Sequence, residues 1–318
     1  MSSFDIGGVE VAVEKSLPEL RRELDIQVFY VRRHGVLELG QNPWWKSLRC
    51  LCINRPDVVI TSLWSAHLFG FIFKLFGVKW ACFIHNAGVT HFIDNIICKF
   101  SILLSDAVAV DSHRTREFVI SVKRSARVHV IPYIFRTNES NLPHPKILDS
   151  FIFVGRNSQQ KRLDIVAKFL RYVLTHLENS SCQLIISGVV PACAEELVTD
   201  FPNRAEVKNN LRNEDVINEL VCSENFVVLS DYEGFCMAAY EAVQARCNII
   251  YRDVGEISSY VNQEQSFLVR DIANFHDEFL EWYSKKDSVR DNKNAKYSSR
   301  PNDANTYVMR YLELIKII

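Results

Sequence analysis

The chain has 318 residues, 48% hydrophobic and 24% charged, with a formal net charge of −1. That is the composition of a soluble globular protein long enough for two domains, each with its own core. A near-neutral balance also gives no general attraction to nucleic acid.

In chain order, residues 9–24 have helical periodicity, and Pro18 inside them should kink or shorten the helix. Strands are predicted at 26–31, 57–61, 78–84, 107–110 and 128–131, with helices at 44–53, 65–76, 91–104 and 112–123 between them. Residues 135–145 hold two prolines and two asparagines without periodicity and read as a linker. A second alternating series follows. Its strands are predicted at 151–154, 183–187, 205–208, 226–229 and 248–251, its helices at 161–177, 192–199, 214–222, 237–245 and 257–261. Residues 284–305 are polar and read as a mobile surface segment, and an amphipathic helix at 304–318 closes the chain.

Two strand–helix series joined by a linker predict an α/β chain of two doubly wound, Rossmann-like domains facing each other across a cleft. The expected division is 1–145, 146–303 and a terminal helix 304–318 packing back on the first domain. No Gly-x-Gly-x-x-Gly fingerprint follows a strand, which argues against a nicotinamide or flavin dehydrogenase. The nearest approach to a membrane span, residues 64–83, contains His67, Lys74 and Lys79. It divides better into a helix and a buried strand.

Nine cysteines are scattered without a Cys-x-x-Cys pair. Free thiols in a reducing cytosol are the expectation. The first residues have neither a basic leader nor an apolar core, so a signal peptide is not expected. Residues 1–145 carry 17 Lys and Arg against 13 Asp and Glu, and residues 146–318 carry 20 against 25. The basic first half suits an anionic membrane surface or a phosphorylated acceptor, and chance asymmetry remains the competing account.

The most informative stretch is S-D-Y-E-G-F-C-M-A-A-Y-E-A, residues 230–242. It follows the apolar run 226–229 and opens a helical run. Such a strand-to-helix turn sets backbone N–H groups and a positive helix end at the carboxyl edge of a sheet, where α/β proteins bind anions. Glu233 should sit in the turn and Glu241 a turn or so into the helix, spaced to bracket a ligand about as long as a nucleotide diphosphate sugar. The run 151–164, F-I-F-V-G-R-N-S-Q-Q-K-R-L-D, ends a strand in Gly155-Arg156 and puts Lys161 at a helix start. Two cations at that edge suit phosphate oxygens, Arg as a planar fork and Lys as a point charge.

Gly-Arg, a lysine a few residues on, then E-G-F with a second glutamate eight positions after the first, resembles the signature of retaining GT-B glycosyltransferases, the large family 4 in particular. Many members are bacterial lipopolysaccharide and capsule sugar transferases. D-A-V-A-V-D-S (106–112), V-H-V-I-P-Y (128–133) and G-G-V-E (7–10) extend the resemblance over nearly the whole chain. It implies a GT-B fold, a UDP- or GDP-sugar donor, an oligosaccharide or lipid-linked acceptor and retention of configuration. It also implies a role in polysaccharide or lipopolysaccharide synthesis. The basic first half, with apolar and aromatic helices at 65–76 and 91–104, suggests a cytoplasmic protein bound peripherally to the inner face of a membrane, with a lipid-linked acceptor. With no Asp-x-Asp triplet, no metal and no cofactor are expected.

Residue by residue, the resemblance implies that Arg156 and Lys161 hold and neutralise the donor diphosphate. Glu233 should bind donor-sugar hydroxyls, and Gly234, Phe235 and Cys236 should offer backbone N–H groups. Glu241 should accept from the ribose, Gly7 and Gly8 should let the first loop approach the diphosphate, and Gly188–Val189 with 208–211 should lie near the base. His85, in F-I-H-N after a strand, matches an active-site histidine of the family. A loop histidine satisfied locally is the other reading. The chain departs from the family at Arg162, Cys236 and Arg246, where glycine is common, and only Met1–Ile6 precede the first glycine loop. An epimerase or hydrolase on the same fold, or a non-catalytic sugar-nucleotide binder, are the competing functions.

Overall fold

The computed structural model describes residues 13, 16–28, 49, 52, 53, 55–85, 92–132, 145–285 and 304–318. These fall into two compact units, one of residues 13–132 with 304–318, the other of residues 145–285.

The first unit is built on a parallel sheet of β1 (Val58–Ser62), β2 (Lys79–Ile84), β3 (Ala107–Val110) and β4 (Val128–Val130), in the order 1-2-3-4. The runs Trp80–Ile84 and Ala107–Val110 are buried throughout, as strands covered on both faces must be. Helices Trp64–Leu75, Phe92–Leu104 and His113–Val122 return the chain between strands. Ser112 starts the third of these, its Oγ accepting from the Thr115 amide at 3.0 Å. One face of the sheet packs Trp80, Ile84, Val108 and Val110 against Ile102 and Val119. The other packs Phe83, Ala109 and Ile131 against Tyr307, Tyr311 and Leu314 of the terminal helix Ala304–Ile317. Arg310 also donates to the Val130 carbonyl at 2.8 Å. The end of the chain therefore completes the core of this unit.

The second unit carries a six-stranded parallel sheet. Its strands are β5 (Ile147–Arg156), β6 (Ser181–Ser187), β7 (Ala205–Asn209), β8 (Ser223–Val228), β9 (Asn248–Tyr251) and β10 (Phe267–Leu268), in the order 10-9-8-5-6-7. The order reverses between β5 and β8, so a crevice is expected beyond their carboxyl ends. Phe169 of helix Leu163–His176 packs into an aromatic core with Phe151, Phe267, Phe275 and Phe279.

Several expectations change. The predicted helix 161–177 is two elements: a 3₁₀ turn at Gln159–Lys161 and an α-helix at Leu163–His176, divided by Arg162 at φ 48°. Residues 26–28 are not strand, although Ile26 packs on the first core. β10 is too short to show a period, and helix His276–Lys285 buries only Phe279 and Tyr283, too sparse a stripe to read from sequence. That helix takes in Ser284 and Lys285, which the sequence assigns to a mobile segment; 286–303 lie outside the described residues. So do Met1–Ile6, Gly7, Gly8 and all of the 135–145 linker except Pro145. Among the described residues no helix is long and apolar enough to cross a membrane.

Candidate functional site

β5 and β8 are hydrogen-bonded neighbours, and the turns leaving their carboxyl ends are tied together. The Gln160 carbonyl accepts from the Asp231 amide at 2.9 Å. Gln160 Nε2 donates to the Tyr232 carbonyl at 2.8 Å and reaches Glu233 Oε2 at 3.4 Å. Lys161 Nζ meets the other oxygen of Glu233 at 2.7 Å, with both side chains largely buried. Burial alone would lower the lysine pKa. The Glu233 carboxylate, by charge and hydrogen bond, and Cys236 together outweigh it, so the value is raised and Lys161 stays an ammonium, while the charge of Arg156 acts on it in the opposite sense. Arg156 itself is exposed at the end of β5. The structure thus groups Arg156, Lys161 and Glu233 at one sheet edge. Outside them, Asp231 takes ion pairs from Arg162 at 3.2 Å and Arg252 at 2.6 Å.

The turn carrying Glu233 is shaped by residues that the motif does not contain. Gly255 sits at φ 59°, and a Cβ there would lie 2.1 Å from the Gly234 carbonyl oxygen. That carbonyl instead accepts from the Glu256 amide at 3.0 Å. The buried Tyr260 hydroxyl donates to the carbonyls of Phe235 at 2.9 Å and Cys236 at 3.1 Å. Phe235, Tyr240 and Tyr260 form a three-ring cluster at centroid separations of 5.3–5.4 Å. Cys236, at φ 60°, precedes helix Met237–Gln244. Burial, then Glu233, pushes its thiol up to about 12 against the pull of Lys161, so it is a neutral thiol rather than a nucleophile. Glu241 lies buried in that helix and accepts from Asn213 Nδ2 at 3.2 Å.

Gly188 follows β6. Its amide donates to Asn210 Oδ1 at 2.9 Å, and Asn157 donates from its amide to Ser187 and from its side chain to the Val189 carbonyl. The turns after β5, β6 and β7 therefore adjoin. Lys208 is held by Glu219 at 2.6 Å.

His85 belongs to the first unit, one residue beyond β2. Its Nε2 lies 2.5 Å from Ser62 Oγ, its Nδ1 lies 3.9 Å from Asp111 Oδ2, and its ring stacks on Phe83 at 4.3 Å. Burial, reinforced by His67, lowers its pKa to about 3, so the ring is neutral near pH 7. Gly7 and Gly8 lie outside the described residues. Sequence reasoning missed Gln160, Gly255 and Tyr260. Only Gln160 had a signal, as the direct neighbour of Lys161. The ring and the glycine act through approaches between segments distant in sequence.

The fold has many solved counterparts. The Anabaena protein HepE in complex with UDP-glucose superposes with a TM-score of 0.70 at 15% identity, covering 100% of this chain and 98% of that one. Sucrose-phosphate synthase from Thermosynechococcus elongatus gives 0.68 at 15%, covering 99% and 92%. TarM gives 0.65 at 16%, covering 86% of this chain, which spans 58% of TarM's length. These likenesses define the fold as GT-B, an α/β architecture of parallel sheets. No curated protein matches the chain in sequence. A family profile, glycosyl transferases group 1, matches residues 135–299, which contain every element of the β5–β8 edge. The chain belongs to the glycosyl transferases group 1 family.

Proposed function

We propose that the chain is a retaining, metal-independent glycosyltransferase that moves a hexose from a UDP- or GDP-sugar to an oligosaccharide, lipid-linked or part of a surface polysaccharide. The observation that carries this reading is the Lys161–Glu233 pair beside Arg156 at the sheet's reversal point. As the glycosidic bond breaks, negative charge grows on the diphosphate. Arg156 and Lys161 neutralise it without a metal. Glu233, already oriented by Lys161 and Gln160, accepts from donor-sugar hydroxyls, and Glu241 accepts from the ribose. Backbone amides of Gly234, Phe235 and Cys236 meet sugar and phosphate, Gly188 serves the base, and Gly7, Gly8 and His85 carry the diphosphate-loop and active-site histidine roles that the resemblance implies. The exposed apolar residues of helix Phe92–Leu104 and the cations near it support work at the cytoplasmic face of a membrane, where a lipid-linked acceptor resides.

Thermal-shift measurements with UDP-glucose and GDP-mannose test the donor, since a ligand that binds only the folded state raises the midpoint. Arg156→Ala should keep the fold and lower turnover by on the order of 10²–10³. Unchanged turnover would remove Arg156 from the mechanism. Sugar release to water with no transfer to any acceptor would favour the hydrolase reading.

A further inference from the structure

β1, β2 and β3 are parallel and adjacent, with Ser62 opposite Phe83 and Ile84 opposite Val110. Their carboxyl ends therefore deliver Ser62, His85 and Asp111 to one edge. Such edges are where parallel sheets gather binding and catalytic groups. The Ser62 hydroxyl is within hydrogen-bond reach of His85 Nε2, and the Asp111 carboxylate faces Nδ1 at 3.9 Å. His85 and Asp111 are almost fully buried. Asp111 is itself anchored: its Oδ1 accepts from Thr115 Oγ1 at 3.2 Å, and that hydroxyl accepts from Ser112 Oγ at 2.7 Å. At 3.9 Å the carboxylate is beyond direct hydrogen-bond range, but at low dielectric its charge still biases which nitrogen carries the proton.

We propose that Ser62 and Asp111 are positioning residues for His85. The carboxylate draws the single imidazole proton to Nδ1, and the Nε2 lone pair accepts from a hydroxyl. That hydroxyl is Ser62's in the free protein and a sugar's during transfer. The functional half of this inference rests on the proposed glycosyl transfer; the tautomer does not. A neutral imidazole has one donor and one acceptor nitrogen, and a neighbouring acid decides which is which. The stacked Phe83 ring holds the imidazole plane, so the lone pair keeps one direction.

Nitrogen NMR on histidine-labelled protein tests this directly, with His85 assigned by its loss in His85→Gln. The wild type should show Nδ1 protonated and Nε2 unprotonated near pH 7. Asp111→Ala should move population toward the Nε2–H tautomer, Asp111→Asn should do so without disturbing the Thr115 contact, and Ser62→Ala should leave Nδ1–H in place. A wild-type proton on Nε2, or a tautomer ratio indifferent to both Asp111 variants, overturns the proposal. The wild-type spectrum decides even if a variant fails to fold. In turnover assays with UDP-glucose, Asp111→Asn should lower kcat about tenfold or more with KM for the donor unchanged. A donor KM effect alone would deny the link to transfer while leaving the tautomer result intact. No donor turnover by the wild type would count against the transferase reading and not against the tautomer.

Discussion

At Arg162, Cys236 and Arg246 the backbone has φ values of 48°, 60° and 60°. These are the three positions where the resemblance leads one to expect glycine, so the backbone keeps the glycine conformation after the side chain has changed. Left-handed backbone costs a side-chain-bearing residue roughly 1–2 kcal/mol. At Arg162 ion pairs to Asp164 and Asp231 offset part of it. Arg246 is exposed and ends helix Met237–Gln244, where glycine is the usual residue. Arg246→Gly should therefore raise stability by about 1 kcal/mol in urea titration; a loss would mean the arginine makes contacts worth more than its strain. Lys161 presents the opposite case. Removing one partner of a buried ion pair typically costs about 3–5 kcal/mol, because the other charge is stranded. Lys161→Ala should thus lose stability as well as turnover. Folding measurements must accompany its kinetics, whereas Arg156→Ala isolates the charge effect.

At the scale of elements, strands and helices with a strong period were legible, and ends set by tertiary contact were not. β3 was read to the residue because Ala-Val-Ala-Val is apolar on both faces and bounded by Asp106 and Asp111. The 3₁₀ break at Arg162 was missed because the apolar period of Leu163, Val166, Leu170 and Val173 runs on smoothly from Lys161. The charged members of the β5–β8 edge could be named because ionisable residues at a strand's end carry their chemistry in their type. Tyr260 and Gly255 could not, since their role exists only once β9 lies beside β8. Gly255→Ala should push the Gly234 carbonyl away and displace Glu233, lowering the thermal shift produced by a donor more than it lowers the midpoint of the free protein. In the first unit, His67 and His85 have pKa values lowered to about 3, burial being the first cause of each. An unfolded histidine titrates near 6.5, so between about 3 and 6.5 the unfolded chain binds more protons. The stability these neutral rings permit is complete above pH 6.5 and is lost progressively as pH falls toward 3. At pH 5 the loss is about 2 kcal/mol for each histidine. The urea midpoint should fall between pH 7 and pH 5, and the double variant His67→Gln, His85→Gln should flatten that slope; an unaltered slope would place the acid sensitivity elsewhere.

Among the described residues, exposed apolar side chains and cations lie together on the helices of the first unit. Phe92, Ile93, Ile96, Phe100, Leu103 and Leu104 are all exposed on one helix, and Leu75 and Phe76 are exposed at the end of the helix packed beside it. Residues 92, 96, 100 and 103 recur at helical spacing, so they share a face rather than encircle the helix. Cations stand close by. Lys99 is on that helix, Lys123 Nζ donates to the Leu103 carbonyl at 3.0 Å, and Arg116 and Arg124 are exposed on and just beyond the neighbouring helix. An apolar stripe edged by positive charge matches an anionic bilayer, where each Lys or Arg near the surface contributes about 1 kcal/mol and apolar side chains enter the acyl boundary. The protein should float with vesicles of phosphatidylcholine and phosphatidylglycerol and stay behind with phosphatidylcholine alone. Raised salt should weaken the association by screening its electrostatic part. Phe92→Ser with Phe100→Ser should abolish flotation while leaving the urea midpoint near that of the parent, because both rings already face solvent. Flotation that ignores lipid charge would remove the cations from this account, and flotation that survives the double substitution would move membrane binding off this face.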